Sequence, residues 1–166
     1  MRGNAIISEY RTNDLKWSYG IKMRRLLLIL LAVPMLAFAQ KTPQGVMYDA
    51  QILRVSDGDT VVIAAPFLPQ PLKPELAVRI YGVDTPEKGF RGQCDSEKAR
   101  GEAASVFTKN LVSASQQRQV ILYGWDKFGG RVLGDIILNG QSLRAQLINN
   151  GFAREYYGDA KQSWCN

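Results

Sequence analysis

Four prolines, Pro66, Pro69, Pro71 and Pro74, fall between Ala64 and Leu76. Proline fixes φ and lacks a backbone N–H, so neither a helix nor a central strand can cross this stretch. It reads as a loop at a sheet edge, and it confines the chain on either side to short elements. Before it, Val46 to Val55 reads as a strand that bends or frays, because Val46, Tyr48, Ile52 and Val55 do not alternate cleanly. Ser56-Asp57-Gly58-Asp59 is a turn, with Gly58 free to take positive φ, and Thr60 to Ile63 is a β-branched strand that closes a hairpin. After the prolines, Ala77 to Val83 is a third strand. Asp84-Thr85-Pro86-Glu87 turns out of it, and Lys88 to Cys94 reads as a mobile loop.

Asp95 or Ser96 can cap a helix running to about Val112, with Ala99, Ala103, Val106, Phe107 and Leu111 on one apolar face. Gln119 to Trp125 and Val132 to Leu138 are two more strands. Asn139-Gly140 is a turn, and Ser142 can cap a second helix that ends at Gly151, with Leu143, Leu147 and Ile148 inward. Phe152-Ala153 extends briefly, and Tyr156 to Asn166 is an irregular tail. Three strands, a helix, two strands and a helix predict a mainly β protein with α-helices (α+β). The expected architecture is a five-stranded OB-fold barrel with two or three helices. An open five-stranded sheet with two helices packed on it is the alternative.

The chain has 166 residues, enough for one domain with a real core. Residues 23–39 have the form of a signal peptide: basic Met23-Arg24-Arg25, an apolar run from Leu26 to Leu36, then the small-x-small Ala37-Phe38-Ala39. The run is shorter than the ~20 apolar residues of a comfortable membrane span, although a retained signal anchor is the alternative. No cysteine follows the small residues, which argues against a lipoprotein anchor. Residues 1–22 read as an upstream extension or a misassigned start, with translation beginning at Met23. Residues 40–45 are a linker and 46–166 the folded domain. The expectation is a secreted or periplasmic bacterial protein, touching the membrane only transiently through its signal peptide. Cys94 and Cys165 are the only cysteines, and in an exported domain they are most simply a disulfide; two free buried thiols are the alternative.

Formal charge is +6 for the whole chain but +2 from residue 40 onward, with 15 Lys and Arg against 13 Asp and Glu. Attraction to a polyanion must therefore come from local placement rather than from a general field. Histidine is absent. That excludes a Ser-His-Asp triad, a histidine base and any histidine-ligated metal, and leaves acid–base work to carboxylates, Lys, Tyr or water. Three segments then stand out: Ser56-Asp57-Gly58-Asp59-Thr60, Arg79 through Glu87, and Asp126-Lys127-Phe128-Gly129-Gly130-Arg131. They offer carboxylates for a hard cation, one more for a water, and two arginine forks for a phosphate, the inventory of phosphodiester cleavage. An EF-hand is excluded, because the twelfth position from Asp57 is Leu68. Lys127, Tyr156 and Tyr157 are candidates for nucleotide contacts, with core packing or solubility as their plainer role.

Five pieces in order resemble the staphylococcal nuclease (thermonuclease) family. They are Asp57-Gly58-Asp59-Thr60; Arg79 with Asp84-Thr85-Pro86-Glu87; Gly101-Glu102-Ala103-Ala104; the Asp126–Arg131 segment; and Asn139-Gly140 with Leu147 and Gly151-Phe152-Ala153. The exported chain with its Ser-Trp-Cys ending resembles the bacterial secreted or periplasmic branch. The resemblance implies an OB-fold and a calcium-dependent endonuclease that hydrolyses DNA or RNA with little sequence specificity and leaves 3′-phosphates. By motif position it implies Asp59, Asp84 and the Thr85 carbonyl as calcium ligands, Glu87 as the group that orients or deprotonates water, and Arg79 and Arg131 as phosphate holders. The second glycine of Gly129-Gly130 and Phe128 in place of a usual tyrosine depart from the pattern. A nucleic-acid-binding OB-fold module without catalysis, and an exported structural domain with a vestigial site, are the alternatives. A monomer with no stable protein partner is expected.

Overall fold

The structure, a computed structural model, describes residues 43–165. The expected extension 1–22, the expected signal peptide 23–39, the first part of the linker and Asn166 lie outside the described residues. Nine strands and two α-helices are formed among the described residues. In chain order these are β1 (Val46–Asp49), β2 (Ile52–Asp57), β3 (Thr60–Ala64), β4 (Glu75–Ile80), β5 (Val83–Asp84), α1 (Asp95–Ala114), β6 (Arg118–Trp125), β7 (Arg131–Leu138), β8 (Gln141–Ser142), α2 (Leu143–Asn149) and β9 (Arg154–Glu155). A 3₁₀ turn at Gly89–Arg91 stands where a mobile loop was expected.

The main sheet runs β1-β6-β7-β4-β3-β2, with β8 added beside β7; only the β4–β7 pair is parallel. The five expected strands are thus split into more pieces, and the paired path is not a closed ring. Its two end strands are nevertheless consecutive in the chain, separated only by Ala50 and Gln51. The bending strand read from the sequence is shared between two partners, β1 pairing with β6 and β2 with β3. At the bend the Ala50 N–H donates to the Arg118 carbonyl and the Ala64 N–H to the Gln51 carbonyl, both at 2.9 Å. The third expected strand is also divided: β4 ends at Ile80, the chain turns at Tyr81-Gly82, and the two-residue β5 pairs with β9 rather than with the main sheet.

The core follows the alternation of the strands. Val61, Ile63, Val78, Ile80, Val120, Val132, Ile136 and Leu138 meet Leu143 and Leu147 of α2. Each fully buried aliphatic side chain of this kind contributes about 1.5–3 kcal/mol. Asn139 (φ 49°) and Gly140 (φ 80°) form the expected tight turn between β7 and β8. Ser142 caps α2 as expected, its Oγ accepting from Ala145 N–H at 3.1 Å. A second acceptor lies behind it: the buried Asp135 carboxylate takes the backbone N–H of Arg144 at 3.2 Å and the Ser142 hydroxyl.

Helix α1 departs most from its expected face. Ala99, Ala103 and Val106 are exposed, and the buried stripe is Gly101, Ala104, Ser105 and Thr108. Those positions repeat at three- and four-residue spacing, and of the expected face Phe107 and Leu111 do pack, partly buried, against the core. Small and polar residues are needed there because the stripe lies against backbone. Thr108 Oγ1 donates to the Gly58 carbonyl at 2.7 Å. A Cβ at Gly101 would stand 2.6 Å from the Glu87 carbonyl oxygen. The helix begins at a Cys94 N-cap that makes no side-chain cap bond, not at Asp95 or Ser96. Glu97 in the first turn instead ties the preceding loop to the helix, accepting from Gln93 N–H at 2.7 Å and Glu87 N–H at 3.3 Å. Gly58 does not take positive φ. It is required for space, since a Cβ there would come within 2.9 Å of the Ala104 Cβ.

Candidate functional site

A cleft of about 700 Å³ opens at the ends of β2, β3 and β4. Its walls carry Asp59, Arg79, Thr85, Glu87, Lys127, Arg131, Tyr156 and Tyr157, nearly every residue singled out in the sequence. Asp84 stands behind this wall and lines two smaller recesses, one of them shared with Thr85, Glu87 and Lys161. Helix α1 is the platform. It fixes the Asp57-Gly58 turn through Thr108 and the Glu87 loop through Glu97, so two segments about thirty residues apart in sequence rest on one rigid element.

Asp59 is buried at the end of the β2–β3 hairpin. Its Oδ1 accepts from Arg79 Nη1 at 2.9 Å and from Thr60 Oγ1 at 3.0 Å. The register explains the first contact, because Thr60 lies opposite Arg79 across the β3–β4 pair. Burial pushes the Asp59 carboxyl above the usual range, against the pull of Arg79 and the hydrogen bonds of Thr60 and Thr85. Arg79 points away from the buried Val78 and Ile80, and its second nitrogen donates to the Val83 carbonyl at 3.4 Å. Alternation alone would put Arg79 and Asp84 on opposite faces. The turn at Tyr81-Gly82 cancels that parity, and the arginine reaches the chain immediately before Asp84.

Arg131 opens β7 and pairs with Asp126 through Nε. Gly129 (φ 68°) and Gly130 (φ 71°) both take the left-handed conformation, so the additional glycine is absorbed in a tight loop. The loop closes with Asp126 N–H on the Arg131 carbonyl at 3.1 Å. Burial works upward on the Asp126 carboxyl, but the Arg131 guanidinium outweighs it and holds the group below its ordinary value. Lys127 lies over the exposed Phe128 ring at 5.1 Å. Trp125, also exposed and on the cleft wall, was not singled out in the sequence. The Tyr157 hydroxyl accepts from Arg144 at 2.7 Å, and its ring packs edge-on against Tyr81. Tyr156 is held by its backbone N–H to the Gly82 carbonyl at 3.1 Å.

Cys94 and Cys165 are joined in a disulfide. This fastens the tail, of which sequence reasoning named Tyr156 and Tyr157 but missed Lys161 and Trp164. Trp164 is buried and donates its indole N–H to Asp84 Oδ2 at 3.0 Å. The Lys161 ammonium lies 2.7 Å from Asp84 Oδ1 and 3.6 Å from Glu87 Oε1. The short contact is an ion pair to a buried oxygen that accepts from no other group among the described residues. Burial works to lower the Lys161 pKa, but Asp84 and Glu87 outweigh it and hold the ammonium above its usual value. The only hint in the sequence was a lysine and a tryptophan just before a paired cysteine.

The donor set suits calcium. Asp59 and Asp84 are buried carboxylates, one driven toward its proton by burial and the other with an oxygen met only by a half-exposed ammonium; a hard, oxygen-liganded cation would suit both. Thr85 is buried beside them. Asp59, Asp84 and Glu87 do not form a tight trio. The one group of three metal-ligating side chains within 4.8 Å among the described residues is Cys94, Glu97 and Cys165, whose sulfurs are committed to the disulfide. Two carboxylates and a carbonyl would leave positions for water and a phosphate oxygen.

A mostly β domain with two helices carries a cleft that sets arginine forks beside buried acids, an arrangement chemically able to receive a phosphate ester. Residues 77–164 match the family described as staphylococcal nuclease homologue, and the chain belongs to that family. The match covers Arg79, Asp84, Thr85, Glu87, Arg131 and the tail with Lys161, and begins after Asp59. Family membership points to a nuclease or a nucleic-acid-binding role, and members of the family are commonly nucleases. Comparison with curated proteins found no match.

Proposed function

We propose that this domain is a calcium-dependent nuclease that hydrolyses phosphodiester bonds of DNA or RNA with little sequence specificity, leaving 3′-phosphates. The observation that carries the reading is the convergence of Arg79, Arg131, Glu87 and Asp59 on one cleft wide enough for a nucleotide. Degenerate binding modules have no need to keep both arginines and all the acids.

Asp59, Asp84 and the Thr85 carbonyl would hold the calcium ion, which when bound supplies Lewis-acid polarisation of the phosphate. Arg79 and Arg131 each rest on an acid, Asp59 and Asp126. They exchange those carboxylates for phosphate oxygens when substrate enters. Two forks then meet the charge that grows on phosphorus, and loss of one such donor costs ~10²–10³ in rate. Glu87 is half-buried and faces the cleft; it orients a water or takes its proton. The water oxygen bonds to phosphorus, the bond to the 5′ oxygen breaks, and that oxygen leaves with a proton. Lys127, Phe128, Trp125 and the two tyrosines offer sequence-blind contacts to phosphate and base, each stacked base adding ~1–3 kcal/mol.

We read the main sheet as an OB-type barrel closed through the bend at Ala50-Gln51, and the chain as exported, secreted or periplasmic. The disulfide and the signal-like segment 23–39 support the second reading. The test of function is incubation of purified protein with DNA and with RNA in calcium, with and without EGTA, beside Arg79→Ala and Glu87→Gln. Cleavage abolished by EGTA and lowered at least ~10²-fold in both variants is expected. Nucleic acid that is retarded in a gel but never cut would replace this reading with a binding module.

A further inference from the structure

The tail from Tyr156 to Cys165 is pinned at several points. The disulfide to Cys94 holds its end. The Arg154 guanidinium covers the Trp164 ring at 3.8 Å and donates to the Ser163 carbonyl at 2.9 Å. Arg100 of α1 donates to the Trp164 carbonyl at 3.1 Å. The result is that both oxygens of Asp84 are addressed by one short segment, Oδ2 by the Trp164 indole and Oδ1 by the Lys161 ammonium.

These two contacts differ in kind. Trp164 is buried, directional and neutral, and it orients the carboxylate without using its charge. Lys161 is half-exposed, meets Oδ1 with its full charge at 2.7 Å, and sits on a flexible four-carbon stem with open cleft beside it. It also faces Glu87 at 3.6 Å and the Tyr156 ring at 5.9 Å. An ammonium at 2.7 Å and a calcium ion at about 2.3–2.6 Å from one carboxylate oxygen would stand a few ångströms apart and repel each other, so the two cations compete for it. We propose that Lys161 is a tethered counter-cation that competes with the metal ion for Asp84 Oδ1, so that metal binding displaces its ammonium and the side chain sets the metal affinity of the site. The inference rests on the reading of Asp59, Asp84 and Thr85 as the metal site. Displacement also frees Glu87 from the same ammonium, so the acid assigned to water becomes available as the metal arrives.

The test measures metal alone, without nucleic acid. Tb3+ luminescence, excited through the protein tryptophans, is titrated and then competed with Ca2+ in the full chain with its disulfide intact. Lys161→Met is expected to bind Ca2+ about tenfold more tightly than the parent, equivalent to ~1.4 kcal/mol. Lys161→Arg is expected to stay near the parent value. A tail merely loosened by the substitution would give the opposite sign, since Asp84 would lose its orientation. Equal or weaker Ca2+ binding by Lys161→Met overturns the proposal, as does no metal binding in any variant. Should that variant fold poorly, the parent protein supplies the measurement: the Lys161 side-chain NMR signal must shift on Ca2+ addition, and an unmoved signal overturns the proposal. Tightened binding without cleavage of any nucleic acid would sink the nuclease reading and leave this one standing. Cleavage with unchanged metal affinity would do the reverse.

Discussion

Gly101→Ala tests whether α1 positions the site or merely packs beside it. Gly101 lies inside the helix, where alanine is intrinsically better by about 1 kcal/mol. An alanine Cβ would, however, stand 2.6 Å from the Glu87 carbonyl oxygen and 2.8 Å from that of Pro86. Ordinary contact begins at 3.4 Å, so the backbone at residues 86–87 must withdraw by about 0.8 Å. Both obstacles are backbone atoms, and Glu97 holds the same loop through the Glu87 N–H, so no flexible side chain can yield instead. Overpacking of this kind costs ~1–3 kcal/mol, which leaves a net loss between roughly zero and 2 kcal/mol after the helix gain. The effect on rate should be larger, because a 1 Å misplacement of a reacting group can cost ~10²-fold. Urea unfolding gives the first quantity, and initial rates on denatured DNA in saturating calcium give the second. Gly124→Ala, where a Cβ meets nothing within 4 Å, is the control. A Gly101→Ala protein that is more stable than the parent and cuts at the parent rate would refute the claim that the helix sets the position of Glu87.

Three further outcomes follow from other contacts. Asp135→Ala removes the acceptor for Ser142 Oγ and for the backbone N–H groups of Ile136 and Arg144; a loss of ~1–3 kcal/mol is expected in urea unfolding, and less than 0.5 would show the helix start is satisfied otherwise. Burial raises the Asp135 pKa above its ordinary value even against those hydrogen bonds. The folded state therefore holds that proton more tightly, and this residue's contribution is fully present below the unfolded value and is lost as pH rises through the folded one. Asp135→Asn should remove that part of the stability decline above about pH 4, and an unchanged pH–stability slope would count against it. Cutting the Cys94–Cys165 link, which closes 71 residues, should cost ~4 kcal/mol in the loop-entropy model, read as a fall in the urea midpoint of a Cys94→Ser/Cys165→Ser protein.

What the sequence determined by itself was local. Proline density set the edge loop, β-branched runs set the strands, and Asn139-Gly140 set a turn, because each depends on the conformations open to a few neighbouring residues. The residue types and order of the acids and arginines were equally legible, and the absence of histidine narrowed the chemistry to carboxylates. Phe107 and Leu111 on α1 were legible as core-facing, but the fully buried stripe of small residues was not, since hydropathy ranks Val106 above Gly101 and says nothing of a carbonyl waiting on the other side. Nor was the tail, because nothing within Tyr156 to Cys165 reveals that it meets a carboxylate some eighty residues earlier. Only the tertiary structure decided that Arg79 would lean on Asp59 through strand register, that Glu97 would hold the Glu87 loop, and that Lys161 would reach Asp84. Those are contacts between distant segments, fixed by how the sheet, the helix and the disulfide close on one another.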